Sequence, residues 1–255
     1  MLCARCQHHA AVPGGTLCAG CAAAPAAPAG PPSAGAPAAW LRSPVGLGRA
    51  AAAMLALVAA VDLFAVWAGL VLYDVSGDLV NGEVGEDVIR RAEHADLLTA
   101  VAGVAQVVAL IASCVVFLCW FHRVRANAEV FDPSRHSMKR GWAIGAWFVP
   151  VVNLWFPRRI TLEIWDASSP TDRPSSHGLV NAWWTLWIIA QVADRVVSRT
   201  YSRAETAEEL RNAAAQLLFV DVAMIAAAVL AVLVVLRLTR MQHEKALRGP
   251  APAAA

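Results

Sequence analysis

The sequence predicts an all-α membrane protein, in which a small zinc knuckle precedes four transmembrane helices and a tryptophan- and proline-rich segment. Of the 255 residues, 58% are hydrophobic and 16% are charged, and the mean hydropathy is +0.52. A water-soluble chain of this length needs more charge to cover its surface. Four long apolar runs and two closely spaced pairs of cysteines complete the basis for this prediction.

The knuckle is predicted over residues 1–21, which contain four of the six cysteines: Cys3, Cys6, Cys18 and Cys21. Two residues separate the cysteines of each pair, so that both thiolates can face one tetrahedral zinc ion at about 2.3 Å. A fragment this small lacks an apolar core, so a metal would supply most of its folding free energy. We therefore expect structural zinc, bound by four thiolates in a zinc-ribbon-like site.

These cysteines have other possible uses: disulfides, redox-active thiols, or a metal site in which His8 or His9 replaces one cysteine. Disulfides require an oxidising compartment, whereas the topology predicted below places this end of the chain in the cytoplasm. Cys114 and Cys119 lie inside an apolar run and are expected to be packing residues.

A linker is predicted over residues 22–45, because residues 22–39 contain five prolines in eighteen positions and favour extended polyproline II. The membrane domain follows over residues 46–240. A basic and then alanine- and proline-rich tail is predicted over residues 241–255.

The membrane spans are predicted from length, since a bilayer core of about 30 Å needs roughly 20 apolar residues in a helix. Four runs qualify: residues 50–73, 97–121, 179–197 and 214–236. Arginine and lysine cluster before the first run, between the second and third, and after the last, whereas the loop over residues 74–96 is acidic. Because basic loops stay in the cytoplasm, we expect a multi-pass protein of the plasma membrane with both termini cytoplasmic.

A fifth apolar stretch, residues 141–157, is only seventeen residues long and is interrupted by prolines. A fifth span would place the basic tail outside the cell, so a re-entrant or interfacial segment over residues 141–166 is predicted instead. The helix after Pro157 is expected to lie on anionic headgroups, with Trp165 at the interface. The candidate residues of this segment are Trp142, Trp147, Pro150, Asn153, Trp155 and Pro157. Asn153 is expected to satisfy the carbonyl that Pro150 frees, and a ligand contact is the alternative.

Polar side chains inside the spans are costly and call for partners. Counting along the helices places Asp62, Gln106 and Gln191 about 16–18 Å from the inner boundary. A second layer, about 22–24 Å from that boundary, contains Asp194, Arg195 and Asp221. We expect protonated Asp62 to bond Gln106 and Gln191, and Asp221 to pair with Arg195, so that these contacts join the helices. A proton or ion relay from Asp221 to Asp62 is the alternative.

Two stretches resemble a bacterial membrane family, domain of unknown function 4328, which is common in high-GC Gram-positive bacteria. The run Phe117-Leu-Cys-Trp-Phe-His-Arg-Val-Arg-Ala-Asn-Ala-Glu129 is similar to its pattern F-L-x-W-x-x-R-x-R-x-N-A. The run that ends in Trp-Phe-Val-Pro-Val-Val-Asn-Leu-Trp-Phe-Pro157 is similar to a second pattern, which a glutamate–tryptophan pair follows, here near Glu163 and Trp165. Members often have arginine before that proline and tyrosine after it, where this chain has Phe156 and Arg158. The resemblance, over residues 50–240, implies the membrane architecture and no activity, and a cysteine knuckle also occurs in the family.

No enzyme signature is present in the sequence: it has no G-x-S-x-G, no H-E-x-x-H, no Walker loop and no dinucleotide-binding glycines. His122 and His136 have no carboxylate at metal-ligand spacing and are expected to be solvated. The basic residues of the cytoplasmic loops are interpreted as the orientation signal, with anionic lipid binding as the alternative.

The sequence therefore predicts a non-enzymatic anchor, sensor or scaffold without catalytic residues, in contact with membrane lipid. Its zinc knuckle would engage a cytosolic protein partner, and no nucleic acid partner is expected. The alternative function is a small ion- or proton-coupled transporter or channel that uses the intramembrane carboxylates Asp62 and Asp221.

Overall fold

The structure is a computed structural model that describes residues 2–4, 6, 8–13, 15, 16, 18–23, 41–170 and 175–248. The chain divides into two units, Met1–Trp40 and Leu41–Ala255. The described residues contain helices, turns and one isolated antiparallel bridge, but no β-strand. Most of the predicted linker, residues 24–40, and the end of the predicted tail, residues 249–255, lie outside the described residues.

The described part of the first unit is rich in turns, and its last element is a short helix, α1 (Ala19–Ala23). Leu2 and Ala10 form the antiparallel bridge, and the backbone amide of Cys3 donates a hydrogen bond of 2.8 Å to the carbonyl of His9. These contacts fold the chain back on itself without assembling a hydrophobic core among the described residues. The fragment therefore depends on its cysteines for cohesion.

The second unit is built from helices α2 (Val45–Val80), α3 (Glu86–Phe131), α4 (Trp142–Gly145), α5 (Phe156–Ser168), α6 (Gly178–Tyr201) and α7 (Ala207–Arg248). Short 3₁₀ turns lie at Pro133–Arg135 and Val152–Leu154. Helix α2 packs along both α3 and α7, and α6 packs along α7. Helices α3 and α6 meet at Phe117 and Trp183, whose ring centroids are 6.4 Å apart.

Three helices, α2, α3 and α7, are long and apolar enough to cross a membrane. They have 36, 46 and 42 residues, and at 1.5 Å per residue they are about 54, 69 and 63 Å long. Each therefore extends beyond a hydrocarbon layer of about 30 Å. Helix α6 has 24 residues and is long enough, but its tryptophans, Gln191 and Asp194 lower its mean hydropathy. The prediction of membrane-crossing helices is confirmed for three of them, and the fourth span stays a prediction.

The predicted acidic loop over residues 74–96 is mostly helical, and the turn between α2 and α3 takes only residues 81–85. Charged side chains can continue a helix outside the hydrocarbon, where they pair across helices. Arg91 of α3 lies 2.8 Å from the carboxylate of Asp78 in α2. The prediction of a loop over residues 74–96 was therefore wrong, and the side of the membrane on which this turn lies stays a prediction.

The 141–157 segment folds back on itself instead of forming one helix. Helix α4 is a single turn, and Val151 has φ 69° and ψ −53°. The amide of Val152 donates to the carbonyl of Pro150 at 2.8 Å, so Val151 is the centre of a γ-turn. Rings of Trp147 and Trp184 lie 5.8 Å apart, and Trp184 Nε1 donates to the carbonyl of Leu154 at 3.0 Å, so both sides of the turn reach α6.

Helix α5 packs inside the protein, which corrects the prediction that it lies on headgroups. Its apolar residues Ile160, Ile164 and Trp165 are fully buried against α3, α6 and α7. An amphipathic helix must cover its apolar face, but periodicity does not tell whether lipid or protein covers it. Trp165 is therefore a core residue rather than an interfacial one.

Val151→Gly is expected to stabilise the protein by about 1 kcal/mol, because a positive φ strains a β-branched residue and costs glycine nothing. The side chain of Val151 is 64% exposed, so little packing is lost. The measurement is the melting temperature of the detergent-purified protein. Val149→Gly is the matched control, since Val149 has a negative φ, and it should lower the melting temperature. A lower melting temperature for Val151→Gly as well would contradict the strain.

Candidate functional site

The four N-terminal cysteines converge, and they form a possible metal site. Their ligand atoms all lie within 4.8 Å of one another, and the sulfurs of Cys6 and Cys18 are 3.9 Å apart. Four sulfurs at about 2.3 Å from a zinc ion stand about 3.8 Å apart in a regular tetrahedron. The donor set therefore fits a thiophilic tetrahedral ion, and none of the six cysteines is in a disulfide.

The two histidines of the knuckle stand beside the sulfurs and influence their charge. The ring of His8 contacts the carbonyl of Cys6, and the Nδ1 atom of His9 lies 3.9 Å from Cys6 Sγ. Hydrogen bonds from the backbone of His8 and the ring of His9 lower the pKa of Cys6 to about 5. The hydrogen bond with Cys18, and then burial, raise the pKa of Cys21 to about 12. One thiolate forms readily here, whereas further thiolates need a cation to offset their repulsion.

Inside the membrane domain, one amide joins two carboxyl groups from different helices. Gln106 Nε2 of α3 donates to Asp62 Oδ1 of α2 at 3.0 Å and to Asp221 Oδ1 of α7 at 3.2 Å. Asp62 is only 5% exposed. The expected hydrogen bond between Asp62 and Gln106 is present, and it links three helices at one level.

Two expected contacts are absent from the part of the chain that the structure describes, and the bridge through Gln106 brings Asp221 beside Asp62, although the prediction placed these residues in separate layers. Within the described residues, Gln191 makes no hydrogen bond to Asp62, and exposed Arg195 forms no ion pair with Asp221. Asp194 is near enough to both carboxyl groups to interact with them electrostatically. The predicted depths were counted from residues 50 and 236, but both residues lie inside longer helices, so neither marks a fixed level from which Asp62 and Asp221 can be compared.

Where α2 begins and α3 and α7 end, Asn127 holds four parts of the domain together. Its Nδ2 donates to the carbonyl of Arg42 at 2.8 Å, and its Oδ1 accepts from the amide of Arg42 at 3.1 Å. Nδ2 also lies 3.1 Å from Gln242 Oε1. Gln242 Nε2 in turn donates to the carbonyl of Val124 at 2.8 Å and to Ser168 Oγ at 3.1 Å. This Asn127 network ties the chain before α2 to α3, α5 and α7.

One turn closer to the membrane centre, Trp120 Nε1 donates to Thr239 Oγ1 at 2.9 Å. Gly48 of α2 faces the same hydroxyl, and a β-carbon there would overlap Thr239. Thr239 and Gln242 were missed in the sequence, although their spacing of three residues places both on one face of α7. Both are polar residues on the same helix face as the apolar residues before them. This position in the sequence was the signal that could have identified them as buried.

Some of the basic residues after α3 are paired with carboxylates of the same domain. Arg125 is 1% exposed, lies 2.7 Å from the carboxylate of Glu129 and donates to the carbonyl of Met138 at 2.8 Å. Glu129 also pairs with Arg140. These arginines therefore position the loop after α3, a role that the count of basic residues could not reveal.

The prediction that His136 is solvated was wrong. Its side chain is 3% exposed, and Nδ1 lies 3.9 Å from the carboxylate of Glu163. Burial lowers the pKa of His136, and the charge of Arg125 lowers it further, while Glu163 and Glu129 oppose the shift. Glu163 also accepts from the hydroxyl of Ser137, so the loop folds onto α5.

The 141–157 segment has two buried polar atoms without a hydrogen-bond partner in the described residues, Asn153 Oδ1 and Trp147 Nε1. The expected bond from Asn153 Nδ2 to the carbonyl that Pro150 frees is also not among the hydrogen bonds of the described residues. Trp142 and Trp155 both pack against Phe156, with ring centroids 5.5 and 6.5 Å away.

Pro157 of this segment lies in the first turn of α5, where proline fits a helix, and its carbonyl accepts from Thr161 Oγ1 at 2.7 Å. Pro150 is exposed at the γ-turn. Both prolines therefore shape the chain and have no visible role in binding.

Asn127→Ala is expected to cost about 2–3 kcal/mol of stability, because it removes both bonds to Arg42 and leaves Gln242 Oε1 unpaired. Unfolding of the detergent-purified protein by heat measures this loss. Asn81→Ala, in the exposed turn after α2, is the matched control and should change stability by less than about 0.5 kcal/mol. Equal stability of the two variants would show that the Asn127 network is not needed.

Comparison with known proteins gives one match, and it lies in the helical second unit. No curated protein and no solved structure matches the chain. The sequence pattern of one family matches residues 88–240, which is more than half of the chain and extends from the start of α3 into α7. The chain belongs to the family described as Domain of unknown function (DUF4328).

Proposed function

We propose that this protein is a non-enzymatic anchor, sensor or scaffold of the cell membrane, which presents a zinc-folded knuckle to a cytosolic protein partner. The convergence of four sulfurs within 4.8 Å carries this proposal. Four thiolates fill a tetrahedral zinc site, which leaves no position for a substrate and is typical of structural zinc. Since the fragment has little apolar burial, zinc would determine whether the partner meets a folded surface.

The proposed topology has four spans, with α6 as the fourth, and both termini in the cytoplasm. Helix α6 packs along α7 and is about 36 Å long, enough to cross the hydrocarbon. Its tryptophans Trp183, Trp184 and Trp187 pack against one another and against Trp147 or Phe117, so protein rather than lipid covers much of the polar and aromatic face. The 141–157 segment would enter the cytoplasmic leaflet and leave on the same side.

Purified full-length protein is expected to contain about one zinc ion per chain, and Cys18→Ser should remove nearly all of it, because three thiolates bind far more weakly than four. Elemental mass spectrometry measures the zinc content. Cys119→Ser is the matched control, since Cys119 is exposed on α3 far along the chain and should leave zinc unchanged. Equal zinc content in the two variants, or no zinc in the wild type, refutes the knuckle.

The partner role is tested with the same pair of variants in intact cells. Cross-linking followed by mass spectrometry should detect a cytosolic protein on the wild type and on Cys119→Ser, and lose it on Cys18→Ser at equal membrane abundance. If the wild type and both variants are cross-linked to the same set of proteins, the proposal that the knuckle recruits a partner is wrong.

A second candidate function is proton- or ion-coupled transport, and the bridge from Gln106 to both Asp62 and Asp221 favours it. Two carboxyl groups that one amide holds side by side can pass a proton from the protonated carboxyl to the carboxylate oxygen of the other, and the amide only orients them. The same bridge also suits a purely structural role, in which hydrogen bonds join α2, α3 and α7.

Asp62→Asn separates these two roles, because an asparagine keeps the hydrogen bond to Gln106 and cannot release a proton. If the carboxyls carry protons, flux in proteoliposomes should fall to background while the melting temperature changes little. Asp74→Asn, at an exposed position of the outer end of α2, should leave flux unchanged. Wild-type flux in Asp62→Asn, or none in the wild type, leaves only the structural role.

A further inference from the structure

The cytoplasmic cations fall into two groups when each is matched with its nearest carboxylate. Those with a carboxylate within 4.0 Å are Arg125, Arg135, Arg140, Arg159 and Arg240. Within the described residues, the following have none: Arg42, Arg49, Arg123, Lys139, Arg158, Arg237, Lys245 and Arg248. The second group is the part of the basic surface that still requires counter-charge from outside the protein.

Arg158 differs from the rest of this group because a neutral side chain fixes its guanidinium in place. Nε and Nη2 both donate to Asn181 Oδ1, at 3.1 and 2.8 Å. An amide oxygen orients the guanidinium but does not neutralise it, and the side chain is partly buried. Its neighbour Arg159 is 58% exposed and lies 3.4 Å from the carboxylate of Glu163. Holding an unneutralised arginine in one orientation is an arrangement suited to an anion.

The chain just before Arg158 offers apolar surface instead of charge. Phe148 is 65% exposed, and Val151, Leu154 and Trp155 are also exposed. The segment that carries them is nevertheless fixed, by the γ-turn at Val151 and by the bond from Trp184 to Leu154. Exposed apolar side chains on a fixed segment beside membrane-crossing helices are suited to lipid chains.

We propose that Arg158 and the 141–157 segment bind an anionic phospholipid of the cytoplasmic leaflet. The lipid phosphate supplies the counter-charge that Arg158 lacks, and the acyl chains cover Phe148 and Trp155. A soluble phosphate offers only the first of these contacts, and a zwitterionic lipid brings its own cation to the headgroup. The proposal rests on the proposed topology of the 141–157 segment and is independent of the zinc knuckle.

Asn181→Asp is the sharpest test, because it replaces the neutral side-chain amide with a negatively charged carboxylate of the same shape. The new carboxylate neutralises Arg158 from within and keeps the hydrogen bonds that hold it. Full-length protein is purified in detergent with equal amounts of phosphatidylglycerol and phosphatidylcholine, and native mass spectrometry gives the ratio of the two lipids retained. We expect the wild type to prefer phosphatidylglycerol and Asn181→Asp to lose about fivefold of that preference.

Arg158→Gln should reduce the ratio to the same extent, whereas Arg159→Gln, the matched control one residue away, should leave it close to the wild-type value. The ratio of the two lipids is measured within each variant. A general loss of stability would reduce the binding of both lipids and leave this ratio unchanged. Equal ratios in Asn181→Asp, Arg159→Gln and the wild type would overturn the proposal. Displacement of the lipid by glycerol 3-phosphate would also overturn it, in favour of a soluble anion.

Discussion

The hydrogen bonds between Asn127, Arg42 and Gln242 fix the end of the helical domain at which α2 begins and α3 and α7 end, and the other contacts at that end depend on them. In lipid, apolar packing alone fixes the relative register of two helices only weakly. An apolar side chain that leaves a helix contact meets lipid chains, which are as apolar as the partner helix. A side-chain amide that pairs with both backbone groups of one residue allows no such change of register. Through Gln242 and Ser168 the same network reaches α5, so the position of the first helix and that of the buried amphipathic helix are determined together.

The contacts further along the helices follow from this fixed end. With α2, α3 and α7 in register, Trp120 meets Thr239 about one turn away, and Gln106 reaches both Asp62 and Asp221 further along the same helices. Helices α3 and α6 do not pack along their length, and aromatic rings of the 141–157 segment fill the space where they converge. Trp147 has ring contacts with Phe117, Phe121, Trp184 and Trp187. The segment is therefore part of the packing of the domain and also a surface that lipid can reach.

The sequence predicted what depends on composition and spacing. Apolar runs identified three of the helices that can cross a membrane, and the spacing of the cysteines identified the residues whose sulfurs converge. It failed where the outcome depends on which surface covers a side chain. His136 and the apolar face of α5 were expected to face water or headgroups, and both are buried, because the loop after α3 folds back onto the protein. Asp221 was separated from Asp62 in the prediction, since the helices continue beyond the predicted ends of the spans from which the depths were counted. Gln242 gave a weak signal, because a single polar residue near a helix end is common.

The family motifs of the membrane domain account for architecture rather than chemistry. In the first motif, Trp120, Arg125 and Asn127 each direct their polar atoms to a partner inside the domain, namely Thr239, Glu129 and Arg42. Side chains that are satisfied in this way have little capacity left for a ligand. Chemistry specific to this chain is therefore to be sought where polar groups are not satisfied internally. Arg158 is such a position, and it follows the proline at the point where the chain differs from the family pattern. A charge held by a neutral amide, beside exposed aromatic surface, suits a partner that is both anionic and apolar, and an anionic lipid combines these two properties in one molecule.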